Sequence, residues 1–408
     1  MISKQERRHL RDLAKRVAEA AARPIMAERR RLWKSHNSLR PVRPMILVFP
    51  EGSWRELLPD AALRCKDKAA RGIEWNLLHR LYTCEHFFDD TVIEKEWVVH
   101  KVIKSTGWGL EPKWREAPTA TGAGAFEPVI HKAADLRKLK FPEISVDPEA
   151  TARDLAAAQD LFGDILDVRL KGVAHVSFHL MNQYTHLRGL NEVMMDMYDN
   201  PSMLCDAMAL LEEGHRRLIR QYVALNLLSL NNDGTYHSSG GVGYTDELPA
   251  DGFDPERVRP RDMWASAEAQ ELAQVSPDMH ARFSMAYEKR LLAPFGLNGY
   301  GCCEDLSLKL DDVFTIPNIR RISISPFASV DRSAEKLGAR YIFSWKPNPA
   351  HLVGRFDRQA LRAYIGHTLK AARGCVLEMI LKDTHTCENH PERFTEWTRI
   401  ARELIESR

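Results

Sequence analysis

The sequence predicts a parallel α/β fold, a closed (β/α)8 TIM barrel behind an N-terminal helical and mixed extension. Three observations carry that expectation. From about residue 150 onward, short apolar segments alternate with amphipathic ones, giving strand candidates at 165–171, 173–180, 225–230, 263–267, 294–299, 319–324, 341–345 and 376–381. Such alternation over about 240 residues is the pattern of parallel strands, each followed by a covering helix. An open doubly wound sheet would ordinarily carry a glycine-rich phosphate turn after its first strand, and no GxGxxG or Walker sequence occurs. Finally, 408 residues suit one large core with an elaboration. The expected division is 1–148, extension and cleft-covering segment, and 149–408, catalytic barrel.

Residues 1–36 place Ala and Leu at helical spacing among charges, as in Arg11-Asp-Leu-Ala-Lys-Arg-Val-Ala-Glu-Ala, which predicts a solvated amphipathic helix. Pro41, Pro44 and Pro50 bracket Met45-Ile-Leu-Val-Phe, a strand, and 71–102 reads as helices packed near it. Residues 107–148 are rich in Gly, Pro and Ala (Gly107-Trp-Gly; Ala117-Pro-Thr-Ala-Thr-Gly-Ala-Gly), the signature of a long loop or irregular hairpin. Its Trp108, Glu111, Trp114 and Arg115 are either packing anchors or a pocket cover. Beyond it, 192–225, 277–292, 331–337 and 358–372 read as helices, the last stopped by Gly374.

With 58 basic against 56 acidic residues the net charge is +2, so no strong field points to nucleic acid or a membrane surface. The expected partner is a small molecule or a protein. Cysteines at 65, 84, 205, 302, 303, 375 and 387 are odd in number and irregular in spacing, unlike a disulfide framework. The charged N-terminus lacks a secretory h-region, and no apolar run approaches the roughly 20 residues of a membrane span. A soluble cytoplasmic protein is the expectation.

In a barrel, chemistry belongs at the C-terminal ends of strands. The richest such end is Asn298-Gly-Tyr-Gly-Cys-Cys-Glu304, where two thiols and a carboxylate follow an apolar run. Neighbouring cysteines read as metal ligands or as a buried apolar pair, with zinc suited to the thiolates and Glu304 or a nearby His completing an open site. The other ends carry Asn231-Asn232-Asp-Gly, Ser325-Pro, Lys346-Pro-Asn-Pro and Lys382-Asp383-Thr-His385-Thr-Cys387. Asn231 to Gly234 is also a sound turn, and Asp383 and His385 also suit a loop before the helix near Pro391. His215 and His280, on helical faces, read as structural or exposed. The glycine-dense loop Ser238-Ser-Gly-Gly-Val-Gly-Tyr244-Thr-Asp-Glu247 could fold over a substrate, with Tyr244 its best candidate.

From about residue 41 to the end, Asn298-Gly-Tyr-Gly-Cys-Cys-Glu, Lys346-Pro-Asn-Pro-Ala-His-Leu and Leu381-Lys-Asp-Thr-His-Thr-Cys before Pro391-Glu-Arg-Phe resemble the uroporphyrinogen decarboxylase superfamily. That superfamily includes the cobalamin-linked, zinc-dependent methyltransferases, and the wording is most similar to a decarboxylase-like branch related to them. The resemblance implies a (β/α)8 barrel with a deep cleft at the strand C-termini, and family habit implies a homodimer. The true decarboxylases bind a tetrapyrrole through an Arg-rich motif, RxPxWxMRQAG, which 20–60 lack. The methyltransferases hold zinc by a His-x-Cys pair and a later Cys. Here Tyr300 stands in the place of the His, Cys302 matches the first Cys, and His385 and Cys387 lie near the place of the second. The implied ligands are Cys302, Cys303, Glu304, His385 and Cys387.

The activity this implies is zinc-dependent methyl transfer between a small methylated, for example methoxylated, substrate or thiol and a corrinoid on a separate protein. Zinc acts as Lewis acid, Lys346 or Lys382 orients an anionic group, and Tyr244 or Tyr300 donates a hydrogen bond to developing charge. The rival is a cofactor-independent decarboxylase of a non-porphyrin carboxylate, with Asp383, Asn232 and Lys346 stabilising charge as carbon dioxide leaves. A third reading is a binding protein on a retired barrel.

Overall fold

The computed structural model describes residues 2–40, 42–117 and 124–407. Pro41 and most of the Ala117–Gly124 stretch therefore lie outside the described residues.

The centre of the molecule is a seven-stranded parallel sheet. We label its strands in chain order: β1 Met45–Val48, β2 Ser177–Phe178, β3 Trp264–Ala267, β4 Leu297–Tyr300, β5 Ile319–Ile324, β6 Ile342–Trp345 and β7 Val376–Leu381. Their spatial order is β1-β7-β6-β5-β4-β3-β2. Consecutive strands lie side by side from β2 to β7, with helices in the connections, the arrangement of a TIM-barrel-like α/β fold. Every residue of β1, β3, β4, β6 and β7 is buried, which is why these strands read as mostly apolar runs, with Ser266, Asn298, Ser344 and Glu378 as buried polar exceptions.

The sheet draws on both sides of the 148/149 boundary, because Met45–Val48 pairs with Glu378–Leu381 of β7. The Asp90 N–H donates to Ile46 C=O at 2.8 Å, tying the chain that leads to Glu96–His100 onto β1. Glu96–His100 pairs in parallel with Asp167–Lys171, so the candidate at 165–171 forms a separate two-stranded ladder outside the seven. The candidate at 173–180 contributes only two strand residues, because a helix starts at Leu180. That at 225–230 makes only an isolated parallel bridge, Val173 to Leu228.

Two predicted helices are divided at prolines. Residues 1–36 form Lys4–Ala21 and Pro24–Asn37, and 192–225 forms Leu190–Asp199 and Pro201–Ala224, each second helix opening on Pro at its first position. Ser3 caps the first helix in a capping box with Glu6. Its apolar face, Leu10, Leu13, Ala14 and Val17, packs with Leu77 and Leu81 of Lys68–His86 and with Phe162 in a core separate from that of the sheet. Within 107–148 two short strands, Lys113–Arg115 and Ala125–Glu127, pair antiparallel, as an irregular hairpin should. Trp108 fills the space beside Gly214, where a Cβ would lie 2.3 Å from its ring, and so acts as a packing anchor. Among the described residues no helix is long and apolar enough to cross a membrane.

Candidate functional site

The strand ends position the site. β4 ends at Tyr300, and Gly301 follows with φ +94°, where a Cβ would meet Leu306 at 2.6 Å. That left-handed turn, open to glycine alone without strain, swings Cys302 into the cleft. Around it lies a cavity of about 220 Å3 lined by Ser177 in β2 and His179 after it, Ser266 and Glu268 at β3, Cys302 after β4, and Lys382 after β7. Tyr236 and Ser239 close it from the hairpin Tyr236–His237/Gly241–Val242. This glycine-dense loop is packed against the sheet: a Cβ on Gly241 would sit 2.4 Å from the Arg321 guanidinium carbon.

Cys302 and Cys303 hold their sulfurs 3.6 Å apart, and Cys303 Sγ lies 3.9 Å from Asp383 Oδ2. The hydrogen bond between the thiols draws Cys303 below the usual thiol range and, together with partial burial, pushes the half-buried Cys302 above it. His179 Nδ1 meets Glu268 Oε1 at 2.5 Å, a charge-assisted contact. Burial disfavours the imidazolium, but Glu268 outweighs it and the His179 pKa is raised. The ring is 47% exposed on its side chain, and its Nε2 makes no hydrogen bond among the described residues. Lys382 Nζ lies 3.3 Å from Asp383 Oδ1 and 3.9 Å from Glu51 Oε1. Burial works against its charge, but Tyr236, Cys302, Asp383 and Glu51 carry it above the usual lysine range.

The remaining sequence-predicted residues are held elsewhere. Glu304 is wholly buried and turns inward, accepting the Cys302 N–H at 2.8 Å and the Ala269 N–H at 3.2 Å; burial and Glu268 push its carboxyl up to about 7. It braces the thiol loop. Cys387 is buried with Sγ 3.1 Å from Glu56, and His385 is exposed, its backbone C=O accepting from Arg55. The five expected metal ligands thus do not converge: the one His/Cys/Asp/Glu trio among the described residues with donor atoms within 4.8 Å of one another is His9, Cys65 and Glu74.

Tyr300 is fully buried behind the sheet, its hydroxyl donating to Glu288 Oε2 at 2.8 Å and lying 3.1 Å from His280 Nε2. Tyr244 donates to Glu94 at 2.6 Å within an apolar cluster of Trp33, Met45, Leu47 and Ile380. Asn232 donates to the Leu248 C=O at 2.7 Å, and its neighbour Asn231 bonds Trp264 and Ala174, so this turn is structural. Neither tyrosine nor Asn232 lines the cavity.

Lys346 is also absent from the cavity wall. Its Nζ donates to Ser344 Oγ at 2.6 Å, and burial pushes its pKa down to about 7. Ser344 in turn donates to Glu378, which Arg321 binds at 2.9 Å and His36 at 3.1 Å. Arg321 further bonds Asn37 Oδ1 and His237 Nδ1, each at 2.8 Å. Burial would raise the Glu378 carboxyl, but Arg321 and His36 hold it well below the usual range. Of the predicted residues, Cys302 and Lys382 line the cavity, and Asp383 adjoins it through Lys382. Sequence reasoning missed His179 and Glu268, although Glu268 directly follows a strand candidate.

No family model matches this chain, and no curated protein sequence does. Among solved structures it is similar to a methyltransferase from Methanosarcina mazei, with a TM-score of 0.50 and 12% identity over 92% of this chain and 97% of that one. At that identity the likeness is one of fold.

Proposed function

We propose that this chain is a methyltransferase, moving a methyl group between a small methylated substrate or thiol and a corrinoid carried by a partner protein, with zinc in the cleft. The observation that carries the reading is the gathering of Cys302, His179, Glu268 and Lys382 around one cavity at the strand ends. A fold similar to that of a protein named as a methyltransferase supports it further.

The ligand types in the cleft are those zinc takes, but Cys302, Cys303 and His179 do not hold three donor atoms within 4.8 Å of one another, so binding would have to draw these side chains together. Sulfur from Cys302 and Cys303 and nitrogen from His179 Nε2 are its preferred ligands, and Glu268 on Nδ1 gives the carboxylate–histidine support that orients a ligating ring. Zinc there would supply Lewis acidity to a thiolate acceptor or to the departing oxygen, nitrogen or sulfur. Glu304 fixes the Cys302 backbone, and Asp383 keeps Lys382 charged and aimed. Lys382 donates to a substrate oxygen, and Tyr236 closes the cavity against water. The methyl passes as a cation equivalent, the electron pair of its old bond staying on the heteroatom.

Incubation with reduced cobalamin and a panel of methoxylated and methylated compounds, followed by absorbance, tests this. Formation of methylcobalamin, lost in Cys302→Ser and in His179→Ala, is expected. No methylation across the panel, with no zinc retained by the wild-type cleft, would sink it. The decarboxylase alternative places Lys382 and His179 beside a carboxylate and predicts release of carbon dioxide without metal; Asn232 and Lys346, its other expected groups, face away from the cavity.

A further inference from the structure

We propose that His9, Cys65 and Glu74 form a second metal site, for zinc, that clamps the N-terminal helix to the molecule independently of the cleft. The three residues come from separate places: His9 from the helix Lys4–Ala21, Cys65 from the loop before Lys68–His86, and Glu74 from the second turn of that helix. Their donor atoms all lie within 4.8 Å of one another. His9 Nε2 is 2.8 Å from Glu74 Oε1. The carboxylate cannot swing away, because the Arg64 N–H holds Oε1 and the Cys65 N–H holds Oε2, both at 2.8 Å. Each oxygen keeps a further lone pair directed at the thiol and the imidazole.

Glu74 and Cys65 are buried, while His9 keeps 22% of its side chain exposed. One nitrogen, one sulfur and one oxygen are the donors a borderline-soft ion takes, and three protein ligands leave a fourth, solvent-facing position for water. Binding would release the Cys65 thiol proton to solvent and leave the His9 proton on Nδ1, so affinity rises with pH. Without metal, Glu74 braces the 64–65 backbone and pairs with His9.

The test is zinc stoichiometry of the full-length protein after loading and desalting, on wild type, Cys65→Ser, His9→Gln and Cys302→Ser. Two equivalents are expected in wild type, with one lost in Cys65→Ser or His9→Gln and the other in Cys302→Ser. If the cleft binds no metal, wild type holds one equivalent and Cys65→Ser none, so the two proposals fail separately. Cobalt loading of the Cys302→Ser/Cys303→Ser protein should give a thiolate charge-transfer band that Cys65→Ser abolishes. His9→Gln, at a partly exposed position, guards against a folding defect in the cysteine variant, with circular dichroism as the check. Wild-type zinc content in both Cys65→Ser and His9→Gln overturns the proposal.

Discussion

Glu378→Gln probes the charge network inside the sheet most directly. Glu378, Arg321, His36 and Ser344 have no exposed surface, and Lys346 has 3%. The carboxylate accepts from Arg321 Nε and Nη2, Ser344 Oγ and His36 Nε2, so an amide of equal size must turn its NH2 toward one of these donors. It also leaves the Arg321 guanidinium and the nearby Lys346 without their balancing charge. Removing one partner of a buried pair costs about 3–5 kcal/mol. With an unfolding entropy of about 0.9 kcal/mol/K for a chain of this length, the melting temperature should fall by about 3–6 °C. The pH dependence gives a second handle. The folded carboxyl lies below its ordinary value of 4.5, so its contribution is complete above about 4.5 and is lost as pH falls toward the folded pKa. Urea unfolding of wild type and variant should therefore diverge at neutral pH and converge in acid. A loss under about 1 kcal/mol, the scale of an exposed ion pair, or a difference unchanged into acid, would refute the reasoning.

Three other outcomes follow from the same geometry. Lys346, pushed down to about 7 by burial, releases a proton that the unfolded chain keeps up to the ordinary lysine value of 10.5. Stability should thus rise with pH across that window, and Lys346→Met should flatten the rise in denaturant titrations. Tyr300→Phe removes the donor to buried Glu288 and should cost about 1–3 kcal/mol by chemical denaturation. Because the residue faces away from the cleft, zinc content should not change; a loss of metal would return Tyr300 to the site. Glu268→Gln should weaken cleft zinc about 10–100-fold in competition with a chelator, by removing the partner that orients His179; unchanged affinity would exclude His179 as a ligand.

The later strands were legible because β4, β6 and β7 are buried on both faces and leave apolar runs bounded by turn residues. The place of β1 was not, since its partner lies more than three hundred residues away and no local pattern reports a pairing at that distance. His179 was hidden because it falls inside the candidate 173–180, whose strand stops at Phe178 with the next helix starting at Leu180. Glu268 was readable by the rule that selects Cys302, the first functional group beyond a strand end. Burial on both faces also hides direction. Tyr300 and Cys302 stand two residues apart, yet the Gly301 turn leaves one behind the sheet and the other in the cavity. Tyr244 and Asn232 were misplaced for the reason β1 was: their partners, Glu94 and the Leu248 carbonyl, are fixed by tertiary contacts.

The size and charge of the cavity narrow what the cleft can accept. At about 220 Å3 it falls below the roughly 300–1,000 Å3 of sites that enclose drug-sized ligands. Its one lysine already faces two carboxylates, Asp383 at 3.3 Å and Glu51 at 3.9 Å, and Glu268 also lines it. A substrate bearing several carboxylates would find no surplus positive charge and would meet repulsion from these groups. On the proposed reading, a small neutral or singly charged molecule would avoid that cost, with one oxygen on Lys382. The same reasoning separates this cleft from one built for a tetrapyrrole and favours compact methoxylated compounds as the first to be assayed.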